Sequence, residues 1–315
     1  MRLVYYGTPA LAVPPLSRLV SEGRAPLLVV TRADRPRGRG MKTGKSAVKA
    51  AAESLGLTVV TPARAGAPDE LERVRALAPD LLVVTAYGQL LPKALLEIPR
   101  LGALNVHFSL LPRHRGASPV QAAILAGDRE TGVTTMWMTE GLDEGPIFLS
   151  RSTPIHEEED AGTLGTRLAL LGAECLSESL VRLDQGDATR RDQDAASATY
   201  APKIAADAGW LALDRPAEDL ARRVRAFTPE PGAYLPLGTE RLAVLSAEVD
   251  GDADRPPGSV VALDRAKGIR IALEKGSIWL RRVRPSGRRD MSGFDYANGA
   301  RLKPGARLTP PGERS

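Results

Sequence analysis

The sequence predicts an α/β chain, a mostly parallel sheet wound with helices and then a small β-barrel. Two observations carry this. Up to about residue 155, short runs of Val, Leu and Ile alternate with stretches of helical periodicity, as in strands buried on both faces between crossover helices. Beyond residue 206 the apolar runs become short and closely spaced, with Gly and Pro between them, as in a small barrel. At 315 residues the chain is long enough for two domains, and 43% hydrophobic with 26% charged residues is an ordinary globular composition.

The elements follow in order. Arg2–Gly7 (RLVYYG) predicts a strand and is followed by a helix to Gly23. Then come a strand at Ala25–Thr31, a helix at Ser46–Gly56, a strand at Thr58–Thr61, a helix at Pro68–Ala78 and a strand at Asp80–Tyr87. A strand at Ala103–Phe108 precedes a helix at Ser118–Ala126 and strands at Val133–Met138 and Ile147–Ile155. Ligands of open α/β sheets bind beyond the carboxyl ends of the strands, which singles out Tyr87–Pro92 and Asn105–Pro112. Leu164, Leu168, Leu171, Cys175 and Leu180 form one stripe of a long helix over Thr163–Asp184. Gln185–Ala206 is polar and lacks a core pattern, so the expected division is a first domain over 1–185, a linker over 186–206 and a second domain over 207–315. In the last, Pro216–Phe227 reads as a helix, and Leu242–Leu245, Ser259–Leu263, Ile269–Leu273 and Ile278–Val283 read as strands.

Several function classes are excluded early. No apolar run approaches the roughly 18 residues of a spanning helix, and the first 25 residues lack the regions of a signal peptide, so a soluble cytoplasmic protein is expected. Cys175 is the one cysteine and has no disulfide partner, and no Cys/His cluster suggests zinc; no metal is expected. On an apolar helix face Cys175 reads as a small core residue. His156, followed by Glu157, Glu158, Glu159 and Asp160, reads as a solvated helix start.

The net charge of +5 is unevenly placed. Thr31–Lys49 carries seven basic residues against Asp34, and Ile278–Ser315 carries nine against three acids, leaving the rest of the chain acidic. Clustered positive charge suits a polyanion, although a solvated loop and a basic tail would look the same. Within the first cluster Gly38–Ser46 (GRGMKTGKS) resembles two nucleotide-binding loops and fits neither. Gly40 leaves three residues before Gly44 and Gly38 leaves five, where a Walker loop needs four, and Thr43 stands where a dinucleotide fingerprint needs glycine. What remains is a flexible basic loop whose Arg35, Arg37, Arg39, Lys42 and Lys45 could fold around a phosphate backbone and order on binding.

Asn105, His107 and Asp143 form the strongest constellation. Asn105 and His107 stand at i and i+2 on one strand, so both side chains project from the same face. The glycines of Glu140–Gly145 (EGLDEG) permit a tight loop that could carry Asp143 to them. An amide can donate to a developing oxyanion, and an imidazole beside a carboxylate can shuttle a proton. The same residues could equally be strand-end and turn side chains satisfying loop backbone.

The longer strings around them are specific. NVHFSLLPRHRG (Asn105–Gly116), AILAGDRETGVTTMWM (Ala123–Met138), GLDEG (Gly141–Gly145) and AYGQLLP (Ala86–Pro92) resemble the formyltransferases that use 10-formyltetrahydrofolate. The likeness extends over the whole chain, through GTP at Gly7–Pro9, DRPRGRG at Asp34–Gly40 and SGRRDMSG at Ser286–Gly293, and is greatest to the branch that formylates initiator methionyl-tRNA. It implies a Rossmann-like formyltransferase domain followed by an OB-like tRNA-binding barrel, with Asn105, His107 and Asp143 catalytic. It also implies a 10-formyltetrahydrofolate site lined by Ser109, Leu110, Leu111 and Pro112, with Tyr87, Gly88 and Leu90 beside the pterin. Arg39 matches a loop arginine used near the tRNA acceptor end, and a monomer is expected. Two departures are Phe108, in place of the usual glycine, expected to put a bulky side chain beside the site, and Thr228-Pro229-Glu230-Pro231 in place of a Trp-Pro pair. His114, between Arg113 and Arg115, is a candidate for holding an anionic group such as the folate tail. Rivals are transfer to a glycinamide ribonucleotide or an amino-sugar nucleotide, and a silent RNA-binding protein; the appended barrel and the basic loop favour tRNA.

Overall fold

The structure, a computed structural model, describes residues 1–37, 42–237 and 240–308. Its elements begin with β1 (Leu3–Gly7), α1 (Val13–Ser21), β2 (Leu28–Val30), β3 (Arg35–Arg37), β4 (Lys42–Gly44), α2 (Ala47–Ser54), β5 (Val59–Val60), α3 (Pro68–Leu77), β6 (Leu81–Thr85), α4 (Lys93–Leu96) and β7 (Ala103–His107). They continue with β8 (Arg115–Gly116), α5 (Pro119–Ala126), β9 (Glu130–Trp137), β10 (Ile147–Pro154), α6 (Ala161–Asp184) and β11 (Tyr200–Ala201). Last come α7 (Ala217–Phe227), β12 (Tyr234–Leu237), β13 (Glu240–Asp250), β14 (Val260–Asp264), β15 (Gly268–Ala272), β16 (Ser277–Pro285), β17 (Met291–Ser292) and α8 (Gly293–Gly299).

Contacts divide the chain into two compact units. One holds Met1–Pro119, Arg129–Pro154 and Gly165–Lys203; the other holds Val120–Asp128, Ile155–Leu164 and Ile204–Ser315. The first is built on a seven-stranded sheet of order β10-β9-β7-β6-β1-β2-β5. Strands β5, β2, β1, β6 and β7 run parallel, and β9 and β10 extend the sheet antiparallel. Every residue of β1, β2, β6 and β7 is buried, as the Val/Leu runs of β2 and β6 require, with two tyrosines buried on β1 and Asn105 and His107 on β7. Strand order reverses between β1 and β6, the switch point beyond whose carboxyl ends α/β sheets place their ligands.

The sequence expectation of an irregular basic loop is corrected in part. Arg35–Arg37 pairs antiparallel with Lys42–Gly44, so the flanks form a short hairpin; Arg39 lies outside the described residues. Pro36 and the surrounding glycines concealed the pairing, since both discourage a strand reading. The helix that follows is capped as its Ser predicts: the Ser46 hydroxyl accepts from the Lys49 N–H at 3.0 Å and bonds Thr31 Oγ1 at 2.8 Å.

The second unit is an antiparallel sheet of order β12-β13-β16-β15-β14, with β17 on β16. Strand β13 is eleven residues long, where alternation had marked only Leu242–Leu245. Its register shifts on both sides of Ser246, and such irregularity breaks the period that identifies a strand. Thr228, after α7, returns its hydroxyl to the Val224 carbonyl at 2.7 Å, ending that helix without the Trp-Pro pair.

One buried polar network braces the first sheet. Tyr6 donates to Glu70 Oε1 at 3.0 Å, the Gly66 N–H donates to Glu70 Oε2 at 2.6 Å, and the Tyr87 ring meets Tyr6 edge-on at 5.2 Å. Burial holds the Glu70 carboxyl above the usual range, the Gly66 and Tyr6 hydrogen bonds opposing it only in part. A carboxyl raised in this way binds its proton more tightly in the folded state, so its contribution is fullest below the ordinary carboxylate range and declines as pH rises through the raised value. Glu70→Gln should therefore gain stability relative to the parent as pH rises above the ordinary carboxylate range, read as a pH-dependent change in the difference between their urea midpoints.

Candidate active site

The carboxyl end of β7 gathers the polar groups. Alternation along the strand sends Asn105 and His107 to one face, where they are 8% and 5% exposed. Asp143, on the loop between β9 and β10, reaches the same place: Asn105 Nδ2 donates to its Oδ1 at 3.2 Å, and its Oδ2 lies 3.6 Å from His107 Nδ1. At that separation the imidazole and carboxylate are close but not hydrogen-bonded. The ring's short bond is made at the other nitrogen, Nε2, to the His114 carbonyl at 2.9 Å, which assigns the proton to Nε2 and turns Nδ1 toward Asp143. The Gly116 N–H donates to Asp143 Oδ2 at 2.8 Å. The sequence had brought these three side chains together as a possibility; the backbone partners at 114 and 116 carry no sequence signal.

Local geometry explains the loop. Asp143 adopts φ 51°, a left-handed conformation that Asp tolerates better than most residues. A Cβ at Gly145 would collide with the Trp137 carbonyl, so only glycine lets the loop return along β9. Gly116, at φ 119°, is similarly confined, with the Ala201 carbonyl 2.6 Å from where a Cβ would stand.

The segment after His107 wraps the cluster. Ser109 is fully buried and donates to the Arg113 carbonyl at 2.6 Å, while Thr134 donates to the Ser109 carbonyl at 2.8 Å and accepts from the Leu111 N–H at 3.2 Å. Leu111 is buried, and Leu110 and Pro112 are half-buried. Tyr87 is also buried, its hydroxyl without a hydrogen-bond partner, and its carbonyl accepts from Thr8 Oγ1 at 2.9 Å. Gly88 and Leu90 are exposed, Leu90 by 68%, as is Leu142 by 49% on the loop that carries Asp143. His114 is buried at φ 58°, its N–H bonded to Thr199 Oγ1 at 2.8 Å. Lys45 is paired with Glu53 at 2.6 Å between exposed side chains, a contact that a stronger anion can exchange.

Phe108 departs from expectation. Its ring and Val106 occupy the face of β7 opposite His107 and lie against α6, each 3.1 Å from where a Cβ on Gly172 would stand. The bulk is absorbed by a helix that presents no side chain there, and the site face is left unchanged. Cys175 is buried as the stripe predicts, and burial pushes its thiol up to about 11.

Two surface clefts, of about 310 and 430 Å³, lie at the amino ends of the parallel strands, around Ala103 and Arg190 and around Met1 and Asp80. Neither includes Asn105, His107 or Asp143, and the converging hydrogen-bonding groups are the better guide. Among the described residues no cluster of His, Cys, Asp and Glu suits a metal, and no helix is long and apolar enough to cross a membrane.

Known proteins resemble this chain over most of its length. The formyl transferase profile matches residues 3–180, and the formyl transferase C-terminal domain profile matches residues 203–301. The chain belongs to the formyl transferase family. As a formyl transferase it is 47% identical over 304 residues to the methionyl-tRNA formyltransferase of Halorhodospira halophila, covering 96% of this chain and 98% of that one. It is 46% identical over 299 residues to that of Methylococcus capsulatus, covering 95% and 96%. Among solved structures its fold is similar to an N-formyltransferase from Helicobacter canadensis in complex with folinic acid and dTDP-3-aminofucose (TM-score 0.65, 16% identity, 89% of this chain and 98% of that one). It is also similar to HypX from Aquifex aeolicus in complex with tetrahydrofolic acid (0.64, 18%, 100% and 50%).

Sequence reasoning missed Gln193. Its side-chain nitrogen donates to the carbonyls of Asp143 at 2.9 Å and Gly145 at 2.7 Å, and its oxygen accepts from Arg115 Nε at 3.0 Å and Nη2 at 2.8 Å. The polar stretch read as a linker is tied to the first unit here, by the Trp137 indole on the Thr189 carbonyl at 3.1 Å, by Arg191 on Ile147, and by β11 on β8. No periodicity marks such a segment, because its contacts are polar and one-sided.

Because the Phe108 ring fills space against α6, Phe108→Ala should cost about 3 to 5 kcal/mol of stability in urea titration. Its turnover should stay within about tenfold of the parent, since the substitution leaves the His107 face of β7 in place.

Proposed function

We propose that this chain transfers the formyl group of 10-formyltetrahydrofolate to the α-amino group of initiator methionyl-tRNA, for initiation of translation. The observation that carries the reading is the convergence of Asn105, His107 and Asp143 at the carboxyl end of β7 in a chain that belongs to the formyl transferase family throughout. The donor set fits a folate. A primary amide and an imidazole meet at Asp143, the segment Ser109–Pro112 follows His107 directly, and Leu90 and Leu142 are exposed apolar side chains on the loops after β6 and β9. The cosubstrate supplies a formyl carbon on N10 that an amine can attack.

Asn105 has a second N–H besides the one given to Asp143, and directs it to the formyl oxygen as negative charge develops. His107, held at Nε2, exchanges a proton through Nδ1 with the attacking amine or the leaving N10, directly or through water. Asp143 stabilises the protonated ring from 3.6 Å while Asn105 and Gly116 keep the carboxylate aimed. Ser109, Leu110, Leu111 and Pro112 line the folate site, and Tyr87, Gly88 and Leu90 border its pterin end. Arg35, Arg37, Arg39, Lys42 and Lys45 meet the tRNA backbone, with the domain from residue 207 onward as a second tRNA surface. In this reading the chain works in the cytoplasm as a monomer.

The test is formylation of charged initiator methionyl-tRNA with 10-formyltetrahydrofolate, detected as formyl-methionine after ester hydrolysis. Product should vanish with His107→Ala, and Asn105→Ala should lower kcat by about a hundredfold or more, as for loss of an oxyanion donor. Near-normal turnover of Asn105→Ala removes the amide from the mechanism. Neutralising Arg37, Arg39 and Lys42 together should raise KM for the tRNA and reduce its logarithmic salt slope by up to about three, one per phosphate contact. An unchanged salt slope removes the loop from the tRNA interface.

A further inference from the structure

Gln193 spends its whole hydrogen-bonding capacity on the surroundings of Asp143. A primary amide has two N–H donors and two acceptor lone pairs. Here both donors go to the carbonyls on either side of Glu144, and the oxygen takes two bonds from the Arg115 guanidinium. Arg115 is 5% exposed, and a buried guanidinium left unsatisfied is costly. Its chain neighbours are the two residues whose backbone touches the catalytic groups: the His114 carbonyl on His107 Nε2 and the Gly116 N–H on Asp143 Oδ2. One side chain, fifty residues beyond Asp143 in sequence, thus joins the two backbone segments that hold His107 and Asp143. Asp143 and His114 both adopt a left-handed φ, so each of the two segments is held in a sparsely populated conformation.

We infer that Gln193 is a positioning residue for the reaction, clamping the backbone of the Asp143 loop to the Arg115 segment so that the carboxylate stays against Asn105 and His107. The inference rests on the formyl-transfer reading above. It assigns a reaction role to a segment that sequence reading treats as a connection.

The experiment compares Gln193→Ala and Gln193→Glu, each alone and with Asp143→Ala. Gln193→Glu keeps the length and an acceptor for Arg115 but removes both donors to the loop. Both single variants should lower kcat by about ten- to a hundredfold, the scale of a small misplacement of a catalytic group, with KM for the folate changed less than about twofold. Added to Asp143→Ala, Gln193→Ala should produce no further loss, because the two act as a unit. In the free protein the Gly116 amide, protected by Asp143, should exchange its hydrogen about tenfold faster in both single variants.

Normal kcat for both Gln193 variants, with Asp143→Ala still impaired, overturns the inference. So does a loss of equal size in the parent and Asp143→Ala backgrounds, which marks a general structural contribution, or unchanged exchange at Gly116. If Gln193→Ala is insoluble, Gln193→Glu carries the test by the same readings. Full activity of Asp143→Ala would instead overturn the catalytic reading of the site, and this inference with it.

Discussion

Alternation along one buried strand is the constraint on which the rest of the site depends. Strand β7 lies between β6 and β9, and its five residues are all buried, so its two faces must be satisfied in different ways. Val106 and Phe108 pack against α6, where Gly172 leaves room for the ring, while Asn105 and His107 emerge on the opposite face. A polar pair so deeply placed must find partners or destabilise the sheet. Asp143 and the His114 carbonyl are those partners, and the same bonds that make the burial tolerable aim the groups at one point.

The site is therefore braced by backbone as much as by side chains. His107 is oriented through a carbonyl, and Asp143 through an N–H and the amide of Asn105. Left-handed residues at 114 and 143 and confined glycines at 116 and 145 permit these approaches. Gln193 and Arg115 tie the two turns to each other. In the function proposed above, such an arrangement keeps the donors preorganised, so that little reorganisation is needed as charge develops on the formyl oxygen.

Much of this was visible in the chain itself, and the misses have a common cause. Short apolar runs identified β1, β2, β6 and β7, and the i, i+2 spacing put Asn105 and His107 on one face. The β3–β4 hairpin, the full length of β13 and the paired segment around Gln193 were not visible, since proline, a bulge and one-sided polar packing each erase hydrophobic periodicity. Phe108 reads from the sequence as bulk beside the site, and the structure turns its ring to the opposite face of the strand. Whether its bulk reaches the site depends on a glycine in a helix more than sixty residues away.

The amino-acid sequence by itself determined the α/β order, the family motifs and the shared face of Asn105 and His107, because strand burial and residue spacing are local properties of a chain. Tertiary structure decided which nitrogen of His107 faces Asp143, what holds the Asp143 loop, and which way Phe108 points. Those depend on backbone carbonyls and amides that every residue possesses, and a group common to all residues acquires a role only when folding brings its partner within about 3 Å.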